Sequence, residues 1–236
     1  MSVYGRVKAV YRRIVPGSLR QYAGSPGSPF RRPLNWVKKQ LERGARDQEI
    51  YDRDYFQGPI EQMMTNSAPV MAESIVERFH PGTVVDVGCG TGALLEQLRR
   101  RGISCTGLEN ADAAIAIARE RGLTIIKFDL EQTTGVPLTS DLVISTEVAE
   151  HLPARFADPF VDRLCSISEV VLMTAATPGQ GGTDHVNEQP NAYWIEKFAA
   201  RGYEHQVELS ESVRQEWQSR RVTEFYWRNL MVFRRA

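Results

Sequence analysis

Seven side chains and three glycines carry most of the chemistry legible in this chain. Asp86, Glu109 and Asp129 each follow a short apolar run, and Gly88, Gly90 and Gly92 interrupt the chain just after the first acid. Carboxylates at such positions accept hydrogen bonds from hydroxyl or amino groups and attract cations. Glycines let the backbone take positive φ and let a ligand approach closely. The other group is Glu147, Glu150 and His151, all within five residues, with His185 further along. An imidazole can take up a proton near neutral pH. Imidazole with carboxylate oxygens also suits a divalent ion such as Mg²⁺, Mn²⁺ or Zn²⁺. Only four histidines occur in the chain, and two of them fall in this region.

The elements that position these residues can be read from spacing. Thr83–Val87 is a β-branched run, as expected of a strand covered on both faces. The glycine turn then opens a helix over 93–101, whose first N–H groups face whatever the turn holds. A second strand over 103–108 ends in Glu109, which lies 21 residues after Gly88. A helix over 112–121 follows, with Asp112 expected as its cap. The third strand, over 124–128, ends in Asp129. Open α/β sheets bind ligands at the carboxyl ends of their strands, where all three acids stand. The fourth and fifth strands are expected over 142–145 and 169–174, a helix over 191–201, and strands over 203–208 and 224–234. A helix over 59–79 precedes the sheet.

Three ligand classes compete for the turn. A dinucleotide fingerprint needs G-x-G-x-x-G, which the run Gly90-Thr91-Gly92-Ala93-Leu94 does not supply. A P-loop needs Gly-Lys-Ser/Thr, which is absent here. The third class is a nucleoside without a pyrophosphate. Asp86 would repel a diphosphate but suits a cationic amino-acid tail. Glu109 could accept both hydroxyls of a ribose, and Asp129 could meet an adenine amino group.

VVDVGCGTGALLEQLRRRG, CTGLENA, IIKFDLEQ and DLVISTEVAEHLP resemble the successive motifs of class I S-adenosylmethionine-dependent methyltransferases, over about residues 80 to 205. The resemblance implies a Rossmann-like α/β fold. Its seven-stranded sheet is mostly parallel, with an antiparallel last strand and helices on both faces. It implies S-adenosylmethionine as cofactor, held by Asp86, Gly88, Gly90, Glu109, Asn110, Asp129, Leu130 and Thr146. Gly88 and Gly90 would approach the methionine tail, Glu109 the ribose, and Asp129 with Leu130 the adenine.

Methyl transfer chiefly requires alignment of the acceptor with the methyl group, and removal of a proton if the acceptor is a hydroxyl. His151 and His185 are the catalytic candidates. Glu147, Glu150, His151 and His185 resemble the E-x-x-E-H metal motif of ubiquinone-pathway O-methyltransferases, and the ligand set of small-RNA 2′-O-methyltransferases. Mg²⁺ or Mn²⁺ bound there would lower the pKa of the acceptor hydroxyl. The glycine-rich loop 177–190 is expected to fold over the acceptor, with Asp184, His185, Asn187 and Glu188 offering hydrogen bonds to a polyol. Its T-P-G-Q-G-G-x-x-H-x-N-E-Q-P pattern is similar to methyltransferases of surface-glycan and natural-product pathways. The expected acceptor is therefore a sugar, glycan or other small molecule. An RNA 2′-O-methyltransferase and a non-catalytic cofactor-binding subunit are the alternatives.

At 236 residues with a formal net charge of zero, the chain has no overall attraction for nucleic acid, and no nucleic-acid partner is expected. Its charge is uneven, since residues 1–43 carry ten Lys/Arg and one acid, Glu42. Val3, Tyr4, Val7, Val10, Tyr11 and Ile14 recur at helical spacing, residues 16–33 read as a Pro/Gly/Ser-rich linker, and 34–48 return to a basic helical pattern. The expected organisation is a basic helical extension over 1–50 and a catalytic domain over 51–236. Residues 1–15 could lie on an anionic membrane, cover the active site or form a homodimer contact. Tyr51 or Tyr55 could stack over the cofactor or pack a helix onto the sheet. Three scattered cysteines, no signal core and no apolar run long enough to span a bilayer point to a cytoplasmic protein.

Overall fold

A computed structural model describes residues 15–20, 55–132 and 137–236. The chain divides into two compact units, Met1–Tyr55 and Phe56–Ala236. In the first, a short helical turn spans Gly17–Arg20. The helical patterns over 3–14 and 34–48, and Tyr51, lie outside the described residues.

The second unit is built around a seven-stranded sheet: β1 (Thr83–Val87), β2 (Ser104–Glu109), β3 (Thr124–Lys127), β4 (Leu142–Thr146), β5 (Val170–Thr174), β6 (Tyr203–His205) and β7 (Met231–Arg235). Their order across the sheet is β3-β2-β1-β4-β5-β7-β6. The first five strands are parallel, with Val85 paired to Thr106 on one side and to Val143 on the other. β7 runs antiparallel to both β5 and β6. The strand order reverses between β1 and β4, which opens a crevice at their carboxyl ends.

Side chains alternate between two cores. Val84, Leu142, Ile144, Leu172 and Val232 point to one side. Val85, Val87, Val143, Val171, Met173 and Phe233 point to the other. This period of two is what a sheet buried on both faces requires. The first core is closed by helices α1 (Pro59–Phe79), α2 (Ala93–Arg100), α6 (Val207–Ser219) and α7 (Glu224–Arg228). The second is closed by α4 (Ala157–Ile167) and α5 (Asn191–Ala199). Helix α3 (Asp112–Glu120) joins β2 to β3.

Local chemistry sets the boundaries of α1. Pro59 occupies its first turn, where a missing N–H costs nothing, and Glu61 faces the positive end of the helix dipole. Ala68, Met71, Ala72 and Ile75, at helical spacing, are fully buried. His80 closes the helix in the left-handed region at φ 46°.

The C-terminal third departs from the strands expected there. β6 ends at His205, and 207–219 is helical, burying Ser210, Val213 and Trp217 at a spacing of three and four. Residues 224–228, expected as strand, form α7 despite the β-preferring run Phe225-Tyr226-Trp227. Packing of these three side chains on the first core overrides their local preference. Asp112 is likewise the first residue of α3, not its cap. The cap position is Ala111, and no side chain caps the helix.

Gly107 in the middle of β2 shows how closely helix and sheet approach. A Cβ there would meet Cys89 Sγ, Ile125 Cδ1 and Leu95 Cδ1. Gly107→Ala should therefore lower unfolding stability by about 1–3 kcal/mol through overpacking. In urea, the midpoint should fall with an unchanged slope, and an unaltered midpoint would contradict this packing.

Candidate functional site at the carboxyl edge of the sheet

The glycine turn is shaped by packing as well as by φ. Gly88, Gly90 and Gly92 have φ of 77°, 54° and 75°. A Cβ on Gly88 would collide with the Val148 side chain, and one on Gly92 with Leu123. Only Gly90 presents an open side, where the nearest atom is Phe56 Cε1 at 3.9 Å. Close approach of a ligand is thus a property of Gly90. Gly88 and Gly92 are required by the protein's own side chains.

Asp86 sits beneath this turn, 3% exposed, and its Oδ1 is buried without a hydrogen-bond partner. Burial, and secondarily the Glu109 charge, raise its pKa to about 7. Glu109 is raised by burial, while the N–H groups of Ala111, Gly90 and Asn110 oppose the rise. Its Oε2 accepts from Gly90 N at 2.9 Å, and its Oε1 from Asn110 N at 2.7 Å and Ala111 N at 2.8 Å. A carboxylate offers about four acceptor sites, so these three bonds leave roughly one. While the turn holds this form, Glu109 is thus largely occupied by backbone N–H groups. Asp129 follows β3, with Oδ1 accepting from Glu131 N and Oδ2 from Gln132 Nε2. Leu130 packs partly against the second core, and Thr146 ends β4 buried.

The second cluster lies at the tips of β4 and β5. Glu147 takes a positive φ of 54°, an unusual conformation for a non-glycine residue. Its N–H donates to Thr174 O and Oγ1, which fixes the chain between the two strands. Glu150, His151 and His185 bring one ligand atom each to within 4.8 Å of one another. The two imidazoles meet edge to face at 4.9 Å. Glu150 is fully buried, and neither carboxyl oxygen makes a full hydrogen bond to a described residue; the Glu147 carboxyl and the Ala176 N–H are its polar neighbours. Burial and then the Glu147 charge push its pKa well up. Burial, then the His185 charge, lower His151 to about 4, against the Asp184 backbone to which it is hydrogen-bonded. His151 is therefore neutral at physiological pH. So low a basicity suits a metal ligand or hydrogen-bond acceptor better than a strong base. Of the four residues read as metal ligands, Glu147 stands outside this group, and its Oε2 accepts from Gln180 Nε2 at 2.6 Å.

Loop 177–190 is organised from within. Glu188 accepts from Gly179 N, Gly181 N and His185 Nδ1 at 2.7–2.9 Å. Val186 N and Asn187 N both donate to the Glu150 carbonyl. A Cβ on Gly182 would collide with the His185 ring, so that glycine lets the loop close on the imidazole. Gln180 joins Glu147 to Asn229, whose Nδ2 donates to Gln180 Oε1 at 2.6 Å. Of the four loop residues expected to face a polyol, Glu188 is committed to the loop and Asn187 is buried. Trp194 is a core residue, 1% exposed, stacked edge to face on Phe160.

Several residues important to this edge had no sequence signal. Gln180 and Asn229 are 49 positions apart, and only the antiparallel return of β7 joins them. Val148 matters because it occupies the space beside Gly88, a relation that spacing does not encode.

Part of the chain is similar to known proteins. Residues 85–164 match the model described as "Methyltransferase domain". The chain is similar to the ubiquinone biosynthesis O-methyltransferase of Pseudomonas paraeruginosa, with 33% identity over 137 residues, covering 54% of this chain and 53% of that protein. The protein of that name from Paramagnetospirillum magneticum is 37% identical over 86 residues, 34% of each chain. The chain thus spans about half the length of the curated relatives it matches. In fold it is similar to magnesium protoporphyrin IX methyltransferase from Synechocystis with bound SAH. There the TM-score is 0.54 at 18% identity, over 97% of this chain and 100% of the other. An O-methyltransferase family protein from Burkholderia thailandensis gives a TM-score of 0.58 at 17% identity, over 84% of this chain and 63% of the other.

The state of Asp86 has a measurable consequence for the ligand-free protein. Its folded pKa lies above the unfolded value, so its favourable contribution is complete at low pH and is lost as pH rises through about 7. Asp86→Asn should raise the melting temperature at pH 8, by an amount worth at most a few kcal/mol, roughly. The gain should vanish near pH 4, and equal gains at both pH values would contradict the assignment.

Proposed function

We propose that the chain, of which residues 85–164 match a methyltransferase domain, uses S-adenosylmethionine to methylate a hydroxyl oxygen of a small molecule. The observation that carries this reading is the Glu150–His151–His185 cluster, set at the same sheet edge as the glycine turn and its acids. The names of the curated relatives, which are O-methyltransferases, support oxygen as the nucleophile.

The turn fits a cofactor that is cationic at one end. Asp86 has a buried oxygen without a partner, Gly90 has an open face, and Glu109 retains acceptor capacity. When bound, S-adenosylmethionine supplies a methyl group already activated on a sulfonium. Asp86 and the Gly88–Gly90 backbone would hold its amino-acid end, Glu109 and Asn110 the ribose, and Asp129 and Leu130 the adenine. Thr146 would line the passage between cofactor and acceptor.

His151 and His185 orient the acceptor hydroxyl, each with the one ring nitrogen that its bond to Asp184 or Glu188 leaves open. Glu150, buried against a second carboxyl group on Glu147, fits a cation better than it fits an empty apolar core. These three residues would hold Mg²⁺ or Mn²⁺, whose chemistry would be to acidify the bound hydroxyl. Loop 177–190 excludes water from this space. Its polar groups suit a sugar, glycan or other polyhydroxylated natural product, and the relatives' names direct attention equally to the quinone pathway.

The test is release of S-adenosylhomocysteine in the presence of phenols, catechols and sugars. An acceptor bearing a hydroxyl should be required. His151→Gln should lower turnover by about a hundredfold or more, with cofactor affinity unchanged within about twofold as read by calorimetry. EDTA should stop turnover, and Mg²⁺ or Mn²⁺ should restore it. Full turnover in the chelated protein would remove the metal from this reading, and methylation only of amines would overturn it.

A further inference from the structure

Two carboxylates grip the glycine turn from opposite sides. Glu109 holds Gly90 through its N–H, as described above. The other is Glu61, in the first turn of α1 and 30 positions upstream, which holds the next residue of the turn. Thr91 Oγ1 donates to Glu61 Oε1 at 2.7 Å. The same oxygen accepts from Arg121 Nη2 at 2.8 Å and from Thr65 Oγ1 at 3.3 Å. Arg121 also lies 3.9 Å from Glu96 Oε2 on α2. Thr91 is 2% exposed, and the two glycines beside it both have positive φ.

This geometry bears on binding for a specific reason. Gly90 and Gly92 leave the turn with little intrinsic preference for one conformation. Something outside the turn must select the form whose open face receives the ligand. Helix α2 begins only two residues after Thr91, so a rotation there would redirect the helix N–H groups as well. A hydroxyl held by a carboxylate that also carries an arginine contact is directional and charge-assisted.

We propose that Glu61 is a positioning residue for the cofactor turn, acting through the Thr91 hydroxyl, and that Arg121 serves only to keep its carboxylate in place. The proposal rests on the reading of this turn as an S-adenosylmethionine site. Loss of either partner leaves the turn free to leave its binding form, so less of the protein is competent to bind.

Calorimetric titration with S-adenosylhomocysteine tests this directly, together with the melting temperature of each ligand-free variant. Thr91→Val, close in shape, should weaken binding about tenfold, and Thr91→Ser should restore it. Glu61→Ala should weaken binding by the same factor, and the double variant should bind no worse than either single one, because both remove one contact. Glu61→Gln keeps an acceptor oxygen and should stay within about threefold of the unaltered protein. Arg121→Met frees the carboxylate without removing it, and should lower the melting temperature and weaken binding by about threefold, less than Glu61→Ala does. Should Glu61→Ala fail to fold, Thr91→Val decides alone. Wild-type affinity in Thr91→Val, or in a folded Glu61→Ala, overturns the proposal and leaves the site intact. Absence of binding by the unaltered protein overturns the cofactor reading itself, and this proposal with it.

Discussion

The site depends on one unfavourable placement: a carboxyl group near the end of the central strand, buried with an oxygen that no described residue satisfies. Asp86 stands on β1, between β2 and β4, where the sheet leaves no water to solvate it. Such a group is costly unless it keeps its proton or gains a cation. The protein tolerates that cost at the point where the strand order reverses and where an open α/β sheet is accessible to ligands. The neighbouring Glu109 charge adds to the strain. Everything else at this edge either holds the turn above Asp86 or prepares the space beside it.

The two halves of the site are built in different ways. Around the turn, backbone geometry dominates: three positive-φ glycines, packed by Val148 and Leu123, are pinned by carboxylates that accept backbone and hydroxyl hydrogens. At the tips of β4 and β5, side chains dominate. The strained Glu147 backbone turns the chain so that Glu150 and His151 face His185, which arrives from loop 177–190. That loop is held through Glu188, Gln180 and two N–H groups on the Glu150 carbonyl. The halves share a scaffold, since Ser145 Oγ on β4 donates to the Val87 carbonyl at the end of β1.

Legibility followed the range of the interactions. The strands of the parallel half, the glycine turn and the acids at the strand tips are local patterns of apolar runs and breakers, and each stands close to its expected place. The β4–β5 cluster could be anticipated because two of its members, Glu150 and His151, are adjacent in sequence. His185 joined them only as a residue after the next strand. The C-terminal third was misread because β-preferring aromatics at 225–227 fold as a helix against the first core. Burial of Ser210, Val213 and Trp217 has a helical period, which is the signal that identifies α6. The backbone partners of Glu109 escaped the sequence for another reason. Sequence places a carboxylate but does not count the backbone donors already on it, and here there are three. The clamp from Glu61 to Thr91 joins a helix to the glycine turn across 30 residues and leaves no local trace.

The central claim is that a cation completes Asp86. It can be read as protons released when S-adenosylmethionine binds. At pH 7 the carboxyl group, with its pKa near that value, is about half protonated, and pairing with the ligand's cationic tail drives it to the ionised form. Calorimetric titrations in two buffers of different ionisation enthalpy should give release of roughly half a proton beyond that of Asp86→Asn. The same proton count for both proteins would mean that Asp86 does not meet the cation, and the account of this site would be wrong.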